Sequence, residues 1–194
     1  MAPPRRIGLF GGSFDPVHVG HLKMAERAAK QLGLDRVFFI PNAVSPLKSS
    51  PPVASGRDRL AMIRAAIRGR PRFKALDIEI RRGGTSYTID TVAALAGRTS
   101  AKLYFLIGAD ALSDFARWHR AEELARRVTF AVFRRPGSPG IRPPEWVREW
   151  VEVRGPLNDV SSTEIRERIR QGKSIRRLVP DAAAALLRKR RLYA

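Results

Sequence analysis

The sequence predicts an α/β fold built on a mostly parallel sheet, and three observations predict it. Short β-type apolar runs alternate with amphipathic stretches along the whole chain. The segment KLYFLIGAD (102–110) opens on a continuous apolar run, as a strand buried on both faces should. The Pro/Gly/Ser-rich loops at Pro41–Gly56 and Pro136–Pro144 are each followed by the same helix and strand patterning, with no shift in composition, so neither reads as a domain linker.

In chain order, strands are expected at Arg6–Phe10, Arg36–Ile40, Ala75–Ile80, Leu103–Ile107, Val128–Phe133 and Val151–Val153. Amphipathic helices are expected at about Gly20–Leu32, Arg57–Arg68, Ile89–Ala96, Ala121–Arg127, Thr163–Gln171 and Asp181–Arg190. Strands separated by helices need crossover connections, which bring them into one parallel sheet covered on both faces. The expectation is a Rossmann-like, doubly wound parallel sheet with a short helical C-terminal part, about 160–194, the chain 1–194 forming a single domain. In such sheets ligands sit beyond the carboxyl ends of the strands, at the point where the strand order reverses.

The 194 residues are 44% hydrophobic and 28% charged, an ordinary globular composition. There is no cysteine, which excludes disulfide staples and thiolate zinc sites and fits a reducing compartment. No apolar run approaches the ~20 residues of a membrane span, and the apolar part of MAPPRRIGLFGG is too short for a signal peptide. A cytoplasmic protein is expected. Seven lysines and thirty arginines against 18 acidic residues give a formal charge of +19. The basic residues are scattered rather than striped, which favours a basic surface around a small anionic substrate over a nucleic-acid platform. The one dense cluster, Arg188–Arg191, suits the end of a C-terminal helix. A homo-oligomer is compatible with all of this.

The chemistry concentrates where the first strand runs into GGSFDPVHVGH. Gly11 and Gly12 allow a tight turn and leave backbone amides open to an anion. Ser13 adds a hydroxyl beside them, and Asp15-Pro16 fixes the course of the loop. His18 and His21 stand three apart as a helix begins, so both rings can face one way, and the helix N-terminus adds partial positive charge. Imidazoles, bare amides and a helix dipole together make a site for polyphosphate and for charge developing on phosphorus. It is neither a Walker loop nor a GxGxxG fingerprint. A histidine metal pair would lack further ligands, since only His119 remains. Late in the chain, VSSTEIRERI (Val160–Ile169) reads as a capping box of Ser161 with Glu164, leaving the amides of Ser162 and Thr163 near an anion and Arg166 one turn on.

GGSFDPVHVGHL resembles the (H/T)xGH signature of the nucleotidyltransferase superfamily, and VSSTEIR resembles that superfamily's second signature, ISSTxIR. Intermediate segments are similar to bacterial nicotinate-mononucleotide adenylyltransferases: EIRRGGTSYTIDT (79–91), FLIGADALSDFARW (105–118), FRRPG (133–137) and SIRRLVP (174–180). Phosphopantetheine adenylyltransferases share HxGH but tend to be shorter and lack the SYTxDT and GADxxxxFxxW segments. The resemblance runs from Ile7 to about Leu187. It implies adenylyl transfer from ATP to nicotinate mononucleotide, giving nicotinate adenine dinucleotide and pyrophosphate, a step of NAD biosynthesis. Magnesium would be held mainly by the ATP phosphates, with no protein metal ligands.

The resemblance implies catalytic roles for His18, His21, Lys48 and Arg166. ATP would meet Gly11, Gly12, Ser13, Phe14, His18, His21, Gly108, Asp110, Ser161, Ser162, Thr163 and Arg166. The mononucleotide would meet Lys48, Ser86, Tyr87, Thr88 and Trp118. Trp118 would stack on the pyridine ring, and Thr88, opening a helix, would offer amides to the nicotinate carboxylate. Asp110 could equally cap a helix from Ala111 onward. One departure is plain: the family usually carries PPHK where this chain has Ser45-Pro46-Leu47-Lys48, so the lysine is kept and the histidine is Leu47. The alternatives are the same fold acting on nicotinamide mononucleotide or phosphopantetheine, and, from another class, a basic nucleic-acid-binding module with a vestigial nucleotide site.

Overall fold

The computed structural model describes residues 5–134, 140–155 and 160–194. The strands are β1 (Arg6–Gly12), β2 (Arg36–Pro41), β3 (Phe73–Ala75), β4 (Lys102–Gly108), β5 (Thr129–Phe133) and β6 (Trp150–Val153). The helices are α1 (Val19–Gln31), α2 (Gly56–Ala66), α3 (Ile78–Arg82), α4 (Thr88–Ala96), α5 (Ala109–Ser113), α6 (Ala121–Arg127), α7 (Ser162–Arg170) and α8 (Asp181–Lys189). The strand order is β3-β2-β1-β4-β5-β6, the order of a doubly wound sheet whose switch point lies between β1 and β4. The fold is the expected Rossmann-like α/β class. Part of the FRRPG segment and of the Pro136–Pro144 loop lies outside the described residues.

The chain packs as two compact units. The first comprises Met1–Gly11, Met24–Phe38 and Tyr87–Leu157. In it β4 pairs in parallel with β1 and β5, and β5 with β6. Leu103–Ile107 are all buried, which accounts for the unbroken apolar run: both faces of this strand are covered. Close approach requires glycine at Gly8, where a Cβ would stand 2.8 Å from a Leu34 methyl and 3.2 Å from one of Leu106. The end of α1 is closed by Gly33 at φ 60°, with the Leu34 amide on the Ala29 carbonyl and Leu34 buried beneath, a Schellman-type stop. At the carboxyl ends of the switch-point strands stand Gly11 and Gly108.

The second unit comprises Gly12–Lys23, Phe39–Ser86 and Asn158–Ala194. Its core joins Phe14, Phe39 and Phe73 ring to ring with α2 packed on α8. Ser55 caps α2, its hydroxyl accepting from the Asp58 amide at 3.0 Å, and Arg190 pairs with the Asp58 carboxylate.

The expected strand Ala75–Ile80 is a correction. The strand is Phe73–Ala75 and ends in sheet bonding at the Leu76 amide on the Phe39 carbonyl, after which the chain turns into α3. Leu76, Ile78 and Ile80 alternate, but Leu76 and Ile80 are also one helical turn apart. The turn is secured by the Arg81 amide on the Asp77 carbonyl (2.8 Å) and the Arg81–Asp77 ion pair (3.0 Å). Gly83, at φ 69°, ends it. The short α5 and the 3-10 turn Phe115–Arg117 had no periodic signal in the sequence.

Candidate active site

The glycine turn, both histidines, Lys48 and the second signature all fall in the second unit, apart from Gly11. His18 immediately precedes α1 and His21 lies in its first turn, so their rings stack at 3.6 Å with 27° between planes. The His18 amide donates to His21 Nδ1 at 3.2 Å, which places the His21 proton on Nε2. His18 is 7% exposed and its Nδ1 is buried with no partner, leaving Nε2 as the nitrogen that can reach a ligand. Burial lowers the His18 pKa from 6.5 to about 4. His21 is held well below the ordinary histidine range by burial, then by the charges of His18 and Lys48. At neutral pH the protein alone therefore carries two neutral imidazoles whose N–H groups can donate to an anion.

Lys48 is exposed and donates from Nζ to Ser13 Oγ at 3.0 Å, so the two expected phosphate contacts meet directly. Leu47, in the place of the family's histidine, is 49% exposed and points no polar atom at anything. The Phe14 side chain, expected to meet ATP, is turned inward: it is buried against His21 (4.9 Å, edge-on) and Phe39. Only its backbone remains for a ligand, because the aromatic ring serves the core better than the rim. The leading amide of α1, at Val19, donates to the Leu178 carbonyl at 2.9 Å and is not open to an anion.

Ser161 caps α7, its hydroxyl accepting from the Glu164 amide at 3.1 Å. Ser162 Oγ donates to the Pro16 carbonyl (2.9 Å), tying α7 to the GGSFDP loop. Arg166 donates from Nη1 to the Asp15 carbonyl (2.8 Å) and from Nη2 to Thr163 Oγ1 (3.3 Å), while its Nε is buried and unpartnered. Two of its five N–H donors are thus engaged within the protein, so it is less open a fork than the sequence implies.

Sequence reasoning missed Arg59 and Asn42, and took Asp15 only as part of the Asp15-Pro16 turn and not as the carboxylate that gathers donors around this loop. Asp15 is 5% exposed, and its carboxylate accepts from the amides of Val53 (2.7 Å) and Ala54 (3.0 Å) and from the Tyr193 hydroxyl (2.6 Å). Arg59, 2% exposed, donates to the carbonyls of Ala54 (3.1 Å) and Ser13 (2.8 Å). Asn42 donates its backbone N–H to the Gly12 carbonyl, and its side-chain Oδ1 is buried without a partner. Apart from the Arg59–Ala54 bond, these contacts span 30 or more residues of sequence, and no local pattern marks them. Ser86 acts on backbone: its Oγ accepts from the Ala43 amide and its own amide bonds the Val44 carbonyl.

The remaining expected residues stand in the first unit. Thr88 opens α4 behind Tyr87, which caps the helix with no side-chain bond. Tyr87 lies against the His119 ring at 4.2 Å. Trp118 packs edge-on to Phe105 (5.9 Å) and tilted to Phe115 (5.4 Å), and its Nε1 is buried without a partner. Gly108, not Asp110, holds the N-cap position of α5; Asp110 is exposed in the first turn, a correction to the helix-cap alternative. No group of three or more His, Cys, Asp or Glu side chains that could hold a metal gathers among the described residues, and none of their helices is long and apolar enough to cross a membrane.

A glycine turn, a histidine pair at a helix start and a late capped helix on one α/β sheet are the parts of a nucleotidyl-transfer fold. Residues 9–168 match the Cytidylyltransferase-like family. The chain is 45% identical over 190 residues to a probable nicotinate-nucleotide adenylyltransferase of Exiguobacterium sibiricum, covering 97% of this chain and 99% of that one. It is 41% identical over 189 residues to a probable enzyme of the same name from Salinibacter ruber, covering 96% and 97%. In fold it is similar to Plasmodium falciparum nicotinic acid mononucleotide adenylyltransferase complexed with NaAD, with a TM-score of 0.80, 18% identity and 97% of each chain covered. The chain belongs to the Cytidylyltransferase-like family and, within it, to the nicotinate-nucleotide adenylyltransferases.

Proposed function

We propose that this chain transfers the adenylyl group of ATP to nicotinate mononucleotide, forming nicotinate adenine dinucleotide and pyrophosphate. A phosphate oxygen of the mononucleotide forms a bond to the α-phosphorus as the bond to the bridging α–β oxygen breaks, and that oxygen leaves on pyrophosphate. The nucleophile is already anionic, so positioning and charge stabilisation carry the reaction. The observation that carries this reading is the stacked, neutral histidine pair in the same unit as the Lys48–Ser13 contact. The imidazole N–H groups donate to α- and β-phosphate oxygens, and the approaching anion favours their protonated form, offsetting burial. Lys48 neutralises phosphate, and the remaining donors of Arg166 steady the leaving pyrophosphate. Magnesium would enter with ATP, held mainly by its phosphates.

On the acceptor side, the open start of α4 at Tyr87–Thr88 offers amides to the nicotinate carboxylate, and Trp118 offers an aromatic face to the pyridine. A carboxamide would bring its own N–H into conflict there, which favours the acid over nicotinamide mononucleotide. The family assignment equally disfavours phosphopantetheine as acceptor and a vestigial nucleic-acid module.

The test is product analysis by chromatography, with ATP and magnesium and each of the three acceptors in turn. Dinucleotide and pyrophosphate are expected with nicotinate mononucleotide, and His18→Ala should lower turnover by about 100-fold or more while unfolding stays cooperative. Equal or faster turnover of another acceptor would overturn the substrate; a fully active His18→Ala would overturn the histidine's role.

A further inference from the structure

Lys48 sits in a loop that the second unit suspends between two anchors. At one end, Ser86 holds the backbone of Ala43 and Val44 (2.9 and 2.8 Å), supported by the bridge between Val44 and Thr85. At the other, the Asp15 carboxylate holds the amides of Val53 and Ala54. Residues 46–51 between them are exposed. Pro51-Pro52 separates Lys48 from the second anchor by a stiff spacer, since each proline fixes its own φ and restricts the residue before it. With Ser50 restricted by the proline that follows it, only Ser49 in the span from Lys48 to Val53 keeps its full backbone freedom.

The second anchor depends on Tyr193. Its ring is buried, and its hydroxyl donates at 2.6 Å to the same Asp15 oxygen that accepts from Ala54. Tyr193 is held at φ 67°, a left-handed conformation that non-glycine residues seldom take and that its surroundings must maintain. The groups facing the carboxylate from other elements are the Arg166 guanidinium, 4.0 Å away, and the buried Arg59, which straps Ala54 to Ser13.

We propose that Tyr193 is a positioning residue for the transfer reaction: its hydroxyl orients the Asp15 carboxylate, which fixes the Val53–Ala54 end of the loop and so sets Lys48 against Ser13 and the phosphate. This rests on the function proposed above for Lys48. Without the hydroxyl, Asp15 keeps one amide donor on each oxygen but loses the third donor, which shares the oxygen that holds Ala54.

Tyr193→Phe keeps the ring and removes only the hydroxyl. Amide hydrogen exchange in the 47–54 segment should speed about 10-fold at Val53 and Ala54, and kcat/KM should fall about 10-fold. In a Lys48→Ala background the same change should cost less than twofold, because the effect travels through the lysine. Unchanged exchange at Val53 and Ala54 overturns the proposal. So does faster exchange without loss of turnover, or an equal loss in the Lys48→Ala background, either of which would make Tyr193 a packing residue only. Should the wild-type protein not turn over ATP and nicotinate mononucleotide, the failure lies with the reaction assignment. The same comparison, read as ATP affinity, still decides whether the hydroxyl acts through Lys48.

Discussion

Acidification should destabilise this protein through its histidine pair before its carboxylates titrate. His18 titrates near 6.5 in the unfolded chain and at about 4 in the folded one, because burial disfavours the imidazolium. Between those values the unfolded chain binds a proton that the folded chain refuses, so stability is fully present above about pH 6.5 and falls as pH drops towards 4. At 1.36 kcal/mol per unit, His18 alone removes about 2 kcal/mol between pH 7 and 5 and about 3 kcal/mol by pH 4. His21, displaced in the same direction, adds to the loss. The assay is urea unfolding at pH 7, 6 and 5 for the wild-type protein and His18→Asn, comparing midpoints at constant slope. The wild type should lose about 2 kcal/mol more than the variant over that range. Since the chain has only three histidines, the subtraction isolates His18 from the general repulsion of a +19 protein. Identical pH dependence in the two proteins would refute the argument that burial keeps these rings neutral.

Two further predictions concern the scaffold. Ser161→Ala removes the hydroxyl that accepts from the Glu164 amide and should cost about 1 kcal/mol in denaturant unfolding; an unchanged midpoint would mean that the α7 cap adds nothing to stability. Gly8→Ala places a methyl 2.8 Å from Leu34 and 3.2 Å from Leu106, both buried, and should cost about 1–3 kcal/mol. A neutral or stabilising result there would show that the core beside β1 yields more readily than its packing implies.

Local chemistry decided what the sequence could disclose. Alternating apolar and amphipathic segments implied the doubly wound sheet, because period and length distinguish strand from helix before any contact forms. The histidine stack follows from spacing, since residues three apart share a helical face. The α7 cap follows from Ser161 and the residues after it. The segment Ala75–Ile80 escaped because Leu76 and Ile80 satisfy both periodicities, and the Asp77–Arg81 turn decided between them.

Only the tertiary structure decided how the GGSFDP loop is held. The inward turn of Phe14, the commitment of an Arg166 donor to the Asp15 carbonyl, and the occupation of the Val19 amide by Leu178 are contacts with distant or buried partners. The same is true of the Asp15 carboxylate, which joins Val53, Ala54 and Tyr193 across 38 to 178 residues of sequence. A buried carboxylate must find its hydrogen-bond donors wherever the fold brings them. That requirement is felt in space and leaves no periodicity in the chain, which is why the histidine pair and the α7 cap could be read from the sequence and the contacts that hold the loop could not.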